Sequence, residues 1–156
     1  MVRFGEEEDF EDIFQIRLQV HELHVNNRPD IYKMPEFPEE FNQILKEDAA
    51  RSDYQLFVCE NDFSIVGYAL VRLVRSKGLC MKQDRTFLYI DEFGVDEKFR
   101  GQGYGKELME GLFDYAKEQK ADSVELAVWD FNEDAIRFYQ SFGMTPKHHH
   151  LEVPIS

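Results

Sequence analysis

A glycine-rich turn between an apolar strand and an amphipathic helix is the feature that most constrains this chain. The turn reads Phe99-Arg100-Gly101-Gln102-Gly103-Tyr104-Gly105-Lys106. The run 87–95 before it is typical of a strand, and apolar residues recur at helical spacing after it, from Leu108 to Ala116. Such a turn presents the unpaired amide N–H groups of a helix start, together with the positive end of the helix dipole. We therefore expect a phosphate or pyrophosphate to bind here, with Arg100 as an added positive charge.

The spacing of this turn excludes the two commonest nucleotide-binding motifs. The dinucleotide motif G-x-G-x-x-G would need a third glycine where Lys106 stands. The triphosphate motif G-x-x-x-x-G-K-[ST] would need a glycine in place of Arg100 and a hydroxyl residue in place of Glu107. The pattern that remains is Arg100-x-x-Gly103-x-Gly105.

The rest of the chain predicts an α/β fold in a single domain, 1–156, with the element order β-α-α-β-β-β-α-β-α-β. Asn61-Asp62 joins two neighbouring strands into an antiparallel hairpin. Asn132 is a suitable N-cap for the last helix, and Gly143 stands where that helix would end. The predicted strands are 2–4, 54–59, 64–73, 87–95, 123–128 and 147–154, and the first two helices are about 8–24 and 39–50.

A second motif, near the end of the sequence, supports the interpretation of the glycine-rich turn. It reads Asn132-x-x-Ala135-x-x-Phe138-Tyr139-x-x-x-Gly143-Met144. Together with Arg100-x-x-Gly103-x-Gly105 and the strand between them, it resembles the GNAT family of N-acetyltransferases, over about residues 89–144. The resemblance implies a mixed, mainly antiparallel sheet flanked by helices, with acetyl-CoA bound in a splay between the central strands. It also implies transfer of the acetyl group to a primary amine by direct attack in a ternary complex.

The same resemblance implies how acetyl-CoA is held. Amide N–H groups of the glycine-rich turn would bind the pyrophosphate, and the backbone of 93–95 would align the pantetheine arm like an added strand. Members commonly have a β-bulge in that strand; Gly94 suits a kinked backbone, or it relieves crowding between helix and sheet. Asn132 would hydrogen-bond the pantetheine arm, act as a plain N-cap, or both. The expected cofactor-binding residues are Phe93, Gly94, Val95, Arg100, Gly101, Gln102, Gly103, Tyr104, Gly105, Lys106 and Asn132.

Tyr139 and Glu92 are the candidate catalytic residues. Tyr139 matches the tyrosine that protonates the CoA thiolate in many family members, although an apolar helix face could also hold it as a core residue. Asp91 and Glu92 end the central strand near the expected thioester. Regular alternation would send them to opposite faces unless a bulge intervenes. Glu92 is our choice of general base; Asp91, a water or no dedicated base are the alternatives.

Charge and composition limit the classes of partner and the cellular location that we expect for this chain. The net charge of −13 argues against sequence-independent nucleic-acid binding and favours encounter with a cationic substrate such as an amine. No stretch has the ~20 apolar residues of a membrane span, and the acidic N-terminus lacks the features of a signal peptide. With only two cysteines, the chain is expected in the reducing cytoplasm. We expect no metal site, because strand alternation would separate the run 148–150 of histidines.

The sequence gives the least information about the amine acceptor. We expect a small-molecule amine, bordered by the first two helices. His21 and His24 fit ordinary helix-end positions, where a cation is favoured, and contact with the acceptor is the alternative. One alternative is acetylation of a protein N-terminus or lysine, and another is an acyl-CoA-binding sensor without catalysis. The sequence leaves the oligomeric state open; a homodimer is common in the family that it resembles, and the last predicted strand would be a candidate contact.

Overall fold

Five strands form one sheet in a computed structural model that describes residues 1–156. Their order in the sheet follows the chain, β1-β2-β3-β4-β5. Neighbours from β1 to β4 pair antiparallel, and β5 pairs parallel with β4. The predicted mixed, mainly antiparallel sheet is therefore confirmed. The strands are β1 (Val2–Phe4), β2 (Tyr54–Glu60), β3 (Ile65–Ser76), β4 (Arg85–Val95) and β5 (Ser123–Leu126).

Four helices cover the two faces of this sheet. They are α1 (Phe10–Asn27), α2 (Pro38–Ala49), α3 (Tyr104–Glu118) and α4 (Glu133–Gln140). Alternating residues of β2 and β3 face two cores, since Phe57 belongs with α3 and Leu56 with α1 and α2. The fully buried Leu112 of α3 illustrates the energy involved, because burying such a side chain contributes about 1.5–3 kcal/mol. No helix is long and apolar enough to cross a membrane.

The predicted last strand, from Lys147 to about Pro154, is wrong. Residues 145–156 form no strand and are exposed, and their backbone makes no hydrogen bond. A strand needs a neighbouring edge and a buried face. Here Leu151, Val153 and Ile155 are 84%, 76% and 90% exposed, so the segment has no buried face. We call residues 145–156 the C-terminal tail; side-chain ion pairs, such as Lys147 Nζ to Glu125 Oε1 at 2.9 Å, hold it against the domain.

Candidate active site

A β-bulge in β4 sets the direction of two carboxylates. Neighbouring residues Leu70 and Val71 of β3 pair with Glu92 and Ile90, so Asp91 is an extra residue in β4. The side chains of Asp91 and Glu92 therefore turn to the same side and line one cavity, instead of alternating across the sheet. The bulge expected in this strand is present at Asp91.

Gly94 lies three residues after the bulge and serves a different purpose. A Cβ at this position would come within 3.0 Å of Val20 Cγ2 and 3.1 Å of Ile16 Cγ2. The missing side chain therefore lets α1 approach β4 closely. Of the two explanations offered by the sequence, relief of helix–sheet crowding is the one that the contacts support.

The cavity lies where β4, α1 and the segment after β5 meet. Its volume is about 250 Å³, and its lining includes Glu92, Phe93, Asn132 and Tyr139, four of the residues predicted from sequence. A larger depression of about 340 Å³ lies between the start of α1 and α2 and contains none of the predicted residues. The smaller cavity is therefore the candidate active site.

Glu92 is held by two partners that the sequence analysis did not identify. Its Oε1 accepts from Arg17 Nε at 2.7 Å and from the Tyr68 hydroxyl at 2.8 Å, while Oε2 accepts from Arg17 Nη2 at 3.2 Å. Arg17 in turn lies 4.0 Å from the centre of the Phe41 ring, which ties α1 to α2. Burial, followed by the charge of Glu92, raises the pKa of Tyr68 well above its usual value, so this hydroxyl keeps its proton. Glu92 is thus fixed in place with Oε2 the less engaged oxygen.

Asp91 has a different environment. Arg72 Nε donates to Asp91 Oδ2 at 3.1 Å, and the Asp91 side chain is 24% exposed. Burial raises the pKa of Asp91, although Arg72 and Tyr54 oppose the shift. The two neighbouring carboxylates therefore share the cavity, but each is paired with its own arginine.

The glycine-rich turn leads into α3 with the geometry of an anion site. Gly101 and Gly103 have φ of +78° and +91°, the left-handed region that favours glycine. The first bond within α3 runs from the Glu107 amide to the Gly103 carbonyl at 3.0 Å. The amide N–H groups of Tyr104, Gly105 and Lys106 therefore have no acceptor in the helix. Arg100 Nε donates to the Val95 carbonyl at 3.2 Å, and the two terminal guanidinium nitrogens have no protein acceptor.

An unpaired strand edge connects this turn to the cavity. β5 pairs with β4 only as far as Ile90 with Leu126, so residues 91–95 of β4 have a strand on one side alone. Gly105 packs against the last residue of β4, because a Cβ there would be 3.5 Å from Val95 Cγ2. The turn, the free edge and the cavity are consecutive. That arrangement suits a long ligand with a phosphate group at one end and a reactive group at the other.

Tyr139 and Asn132 reach the cavity from α4. The Tyr139 ring contacts Phe93 with centroids 6.1 Å apart, and its hydroxyl makes no hydrogen bond within the protein. Burial raises the pKa of Tyr139 to about 12, so the hydroxyl is a proton donor at neutral pH. Asn132 Oδ1 accepts from the Ala135 amide at 3.3 Å, which confirms its N-cap role and leaves its amide nitrogen available to a ligand.

Sequence reasoning missed Arg17, Tyr68 and Tyr32. Arg17 carried a usable signal, because a charged residue stands here between Ile13, Ile16 and Val20 on the apolar stripe of α1. Tyr32 lies in the loop between α1 and α2 and carried none. The structure brings no group of three or more metal-ligating side chains together, and the run 148–150 lies in the exposed tail.

Comparisons with known proteins agree with this geometry. A sequence model of the acetyltransferase (GNAT) family matches residues 17–144. The spermine/spermidine N(1)-acetyltransferase of Bacillus subtilis is 30% identical over 131 residues, which are 81% of this chain and 80% of that protein. A tetramutant of the BH1408 protein from Bacillus halodurans is 32% identical, with a TM-score of 0.91 and 99% of each chain covered. AAC(6')-Iy bound to CoA-S-monomethyl-acetylneamine has the same fold at 13% identity and a TM-score of 0.74, with 100% of this chain and 97% of that chain covered.

Proposed function

The chain belongs to the acetyltransferase (GNAT) family, and we propose that it transfers the acetyl group of acetyl-CoA to a primary amine of a small molecule. The enzyme class follows from the family; the acceptor and the mechanism are our proposal. The observation that carries it is the continuity of the glycine-rich turn, the free edge of β4 and the cavity that holds Glu92 and Tyr139. Direct attack by the amine in a ternary complex needs this single continuous site.

The residues around the turn fit the pyrophosphate and the pantetheine arm of acetyl-CoA. Backbone N–H groups of 102–106 would hold the pyrophosphate, with Arg100 and Gly101 completing the turn, because Gly101 and Gly103 leave open space where a Cβ would stand. The free edge of Phe93, Gly94 and Val95 would bind the pantetheine amides in the manner of a strand. The Asn132 amide nitrogen would add a hydrogen bond to the same arm.

Glu92 is our candidate for the group that receives the amine's proton. The attacking amine must be neutral, and Glu92 Oε2 has only one protein partner, at 3.2 Å, so it can accept from the amine directly or through a water. A backbone N–H at the bulge would stabilise the negative oxygen that develops on the thioester carbonyl. Asp91 lines the same cavity and is the second carboxylate to test.

Tyr139 is our candidate for the acid that protonates the departing thiolate. With its pKa raised to about 12, its hydroxyl carries a proton at neutral pH and has no competing partner in the protein. Burial raises the pKa of the departing thiol as well, so the buried thiolate is a stronger base, which offsets the cost of forming a buried tyrosinate. The hydroxyl, rather than the ring, is the functional part in this proposal.

A polyamine is the acceptor that we favour among small-molecule amines. The relative from Bacillus subtilis is a spermine/spermidine acetyltransferase and covers most of this chain. The net charge of −13 would raise the encounter rate with a polycation.

The test is release of free thiol from acetyl-CoA in the presence of spermidine, an aminoglycoside or a lysine peptide. We expect turnover with spermidine, and turnover about 100-fold slower in Tyr139→Phe. Turnover on the peptide alone would instead assign the enzyme to protein acetylation. Stabilisation by CoA without turnover on any amine would identify a sensor.

Three expectations from the sequence stay predictions: a single domain over 1–156, a cytoplasmic location and a homodimer. The C-terminal tail is the surface to test for the dimer. Its apolar residues Leu151, Val153 and Ile155 alternate along an exposed, unpaired backbone.

A further inference from the structure

Arg17 reaches from α1 to the wall of the cavity and donates there from all three of its guanidinium nitrogens. Nε and Nη2 donate to the two carboxylate oxygens of Glu92, at 2.7 and 3.2 Å, and Nη1 donates to the Phe41 carbonyl in α2. The guanidinium also lies 4.0 Å from the centre of the Phe41 ring, and the Arg17 side chain is only 12% exposed. A planar fork that is stacked on a ring and bonded on three sides is held in one orientation, which a single ammonium group could not reproduce.

The direction of the Glu92 carboxylate depends on this fork. Oε1 accepts from Arg17 Nε and from the Tyr68 hydroxyl, which is fixed on β3 because Tyr68 is 1% exposed. With Tyr68 alone, the carboxylate would be free to turn about one hydrogen bond. The second bond, from Arg17 Nη2 to Oε2, fixes its plane. Arg17 therefore determines where Oε2 lies in the cavity.

The charge of Arg17 matters as well as its geometry. Arg17 is the only lysine or arginine that lines the cavity, where the two acidic residues are Asp91 and Glu92. Asp91 is paired with Arg72, from outside the cavity lining. An amine bound beside an unpaired Glu92 would be stabilised as the ammonium ion, which cannot attack the thioester. The positive charge of Arg17 opposes that stabilisation.

We propose that Arg17 is a positioning residue for the acetyl transfer. It directs Glu92 Oε2 toward the amine and, by pairing with Glu92, keeps this carboxylate from holding the amine in its protonated form. The amine nitrogen loses its proton to Glu92 as it attacks, and Arg17 itself transfers no proton. This inference rests on the proposed function, because it assigns a residue that acts through the proposed base.

The experiment is a double-mutant cycle on Arg17 and Glu92. Thiol-release kinetics are measured for wild type, Arg17→Met, Glu92→Gln and the double variant, with spermidine or, if it is not acetylated, with the aminoglycoside or the lysine peptide. Arg17→Lys keeps the charge but not the fork, and it takes the place of Arg17→Met in the cycle if that variant does not fold. Arg85→Met is the matched control, since Arg85 pairs with Glu125 and lies 4.2 Å from the centre of the Phe87 ring but does not line the cavity.

We expect Arg17→Met to lower kcat about 100-fold, because a misplaced base loses most of its effect. The KM for acetyl-CoA should stay unchanged. The KM for the amine should not rise, since two carboxylates remain to attract an ammonium group. Arg17→Lys should recover part of kcat, and Arg85→Met should retain all of it. In the Glu92→Gln background, Arg17→Met should cause no further loss of kcat, because the group that Arg17 positions is gone.

Losses of kcat that multiply in the double variant would show that Arg17 acts independently of Glu92, and they would overturn the inference. An unchanged kcat in Arg17→Met would overturn it too. A loss of the same size in Arg85→Met, or a KM for acetyl-CoA that rises in Arg17→Met, would mean a merely structural role.

The wild type and Glu92→Gln separate this inference from the proposed function. Wild-type turnover together with losses that multiply refutes the role of Arg17 and supports the acetyltransferase proposal. A normal kcat in Glu92→Gln refutes the proposed base and, with it, the role of Arg17, but leaves the acetyl transfer in place. A wild type that releases no thiol with any of the three amines refutes both proposals.

Discussion

Gly103→Ala tests the glycine-rich turn, because two of its effects can be separated. Gly103 has φ of +91°, and a Cβ there would meet no protein atom within 4 Å. The left-handed conformation costs a non-glycine residue about 1–2 kcal/mol. Alanine also lowers the conformational entropy of the unfolded chain, which stabilises the fold by about 0.4–1 kcal/mol. The unfolding free energy should therefore fall by about 1 kcal/mol in total. In a chain of this length, that lowers Tm by about 2–4 °C.

The second effect concerns acetyl-CoA alone. The new methyl group would project beside the amide N–H groups of the turn and displace a phosphate from them. Losing one hydrogen bond to a charged group costs about 1.5–3 kcal/mol. We therefore expect the KM for acetyl-CoA to rise about 10- to 100-fold, with the KM for the amine nearly unchanged.

Gly143→Ala is the matched control. Gly143 has φ of +86° and equally open surroundings, but it follows α4 and lies outside the turn. Thermal melting should show similar losses in both variants, while thiol-release kinetics should show the raised KM in Gly103→Ala alone. Equal KM values for acetyl-CoA in the two variants, or an unchanged value in Gly103→Ala, would refute the assignment of the turn to the pyrophosphate.

Three further variants test other parts of the chain. Tyr139→Phe should lower kcat about 100-fold and leave the KM for acetyl-CoA unchanged; a normal kcat in stopped-flow assays would remove the acid role. Arg3 holds the pKa of Asp9 below its usual value. The pair therefore stabilises the fold fully when the pH is above the usual pKa of an aspartate, and this stabilisation is lost as the pH falls through the lowered pKa of Asp9. Asp9→Asn should therefore lower the unfolding free energy by about 2 kcal/mol at pH 7 and flatten its acid dependence in urea titrations, whereas an unchanged acid dependence would exclude this pair as the cause. Val153→Asp should convert a dimer to a monomer in size-exclusion chromatography without changing Tm; a wild type that already elutes as a monomer contradicts the dimer.

Features fixed by local chemistry could be predicted from the sequence. The turn before α3 depends on glycines at positive φ, and α4 begins at an asparagine that caps it. Both are properties of a few adjacent residues. The hairpin of β2 and β3 and the apolar stripes of the helices are local in the same sense.

Features that depend on distant partners could not be predicted. The bond between Tyr32 and Trp129 joins residues 97 apart in sequence, so no local pattern indicates that the two side chains meet. Residues 147–154 have the alternation of a strand, but pairing is a property of two segments, and this segment has no partner within the chain. Glu92 was named from its position, yet Arg17 and Tyr68, which fix its orientation, come from other elements.

The β-bulge in β4 begins directly after the last residue of β4 that pairs with β5. β5 stops pairing at Ile90, and the extra residue in β4 is the next one, Asp91. The strand that opens its edge to a ligand therefore also turns Glu92 toward the cavity at that point. Because β5 is only four residues long, the chain leaves the sheet early enough to bring Trp129 and Asn132 back over the opening. A longer β5 would cover the free edge of β4, so under the proposed function the same short strand would determine both where acetyl-CoA binds and where the amine enters.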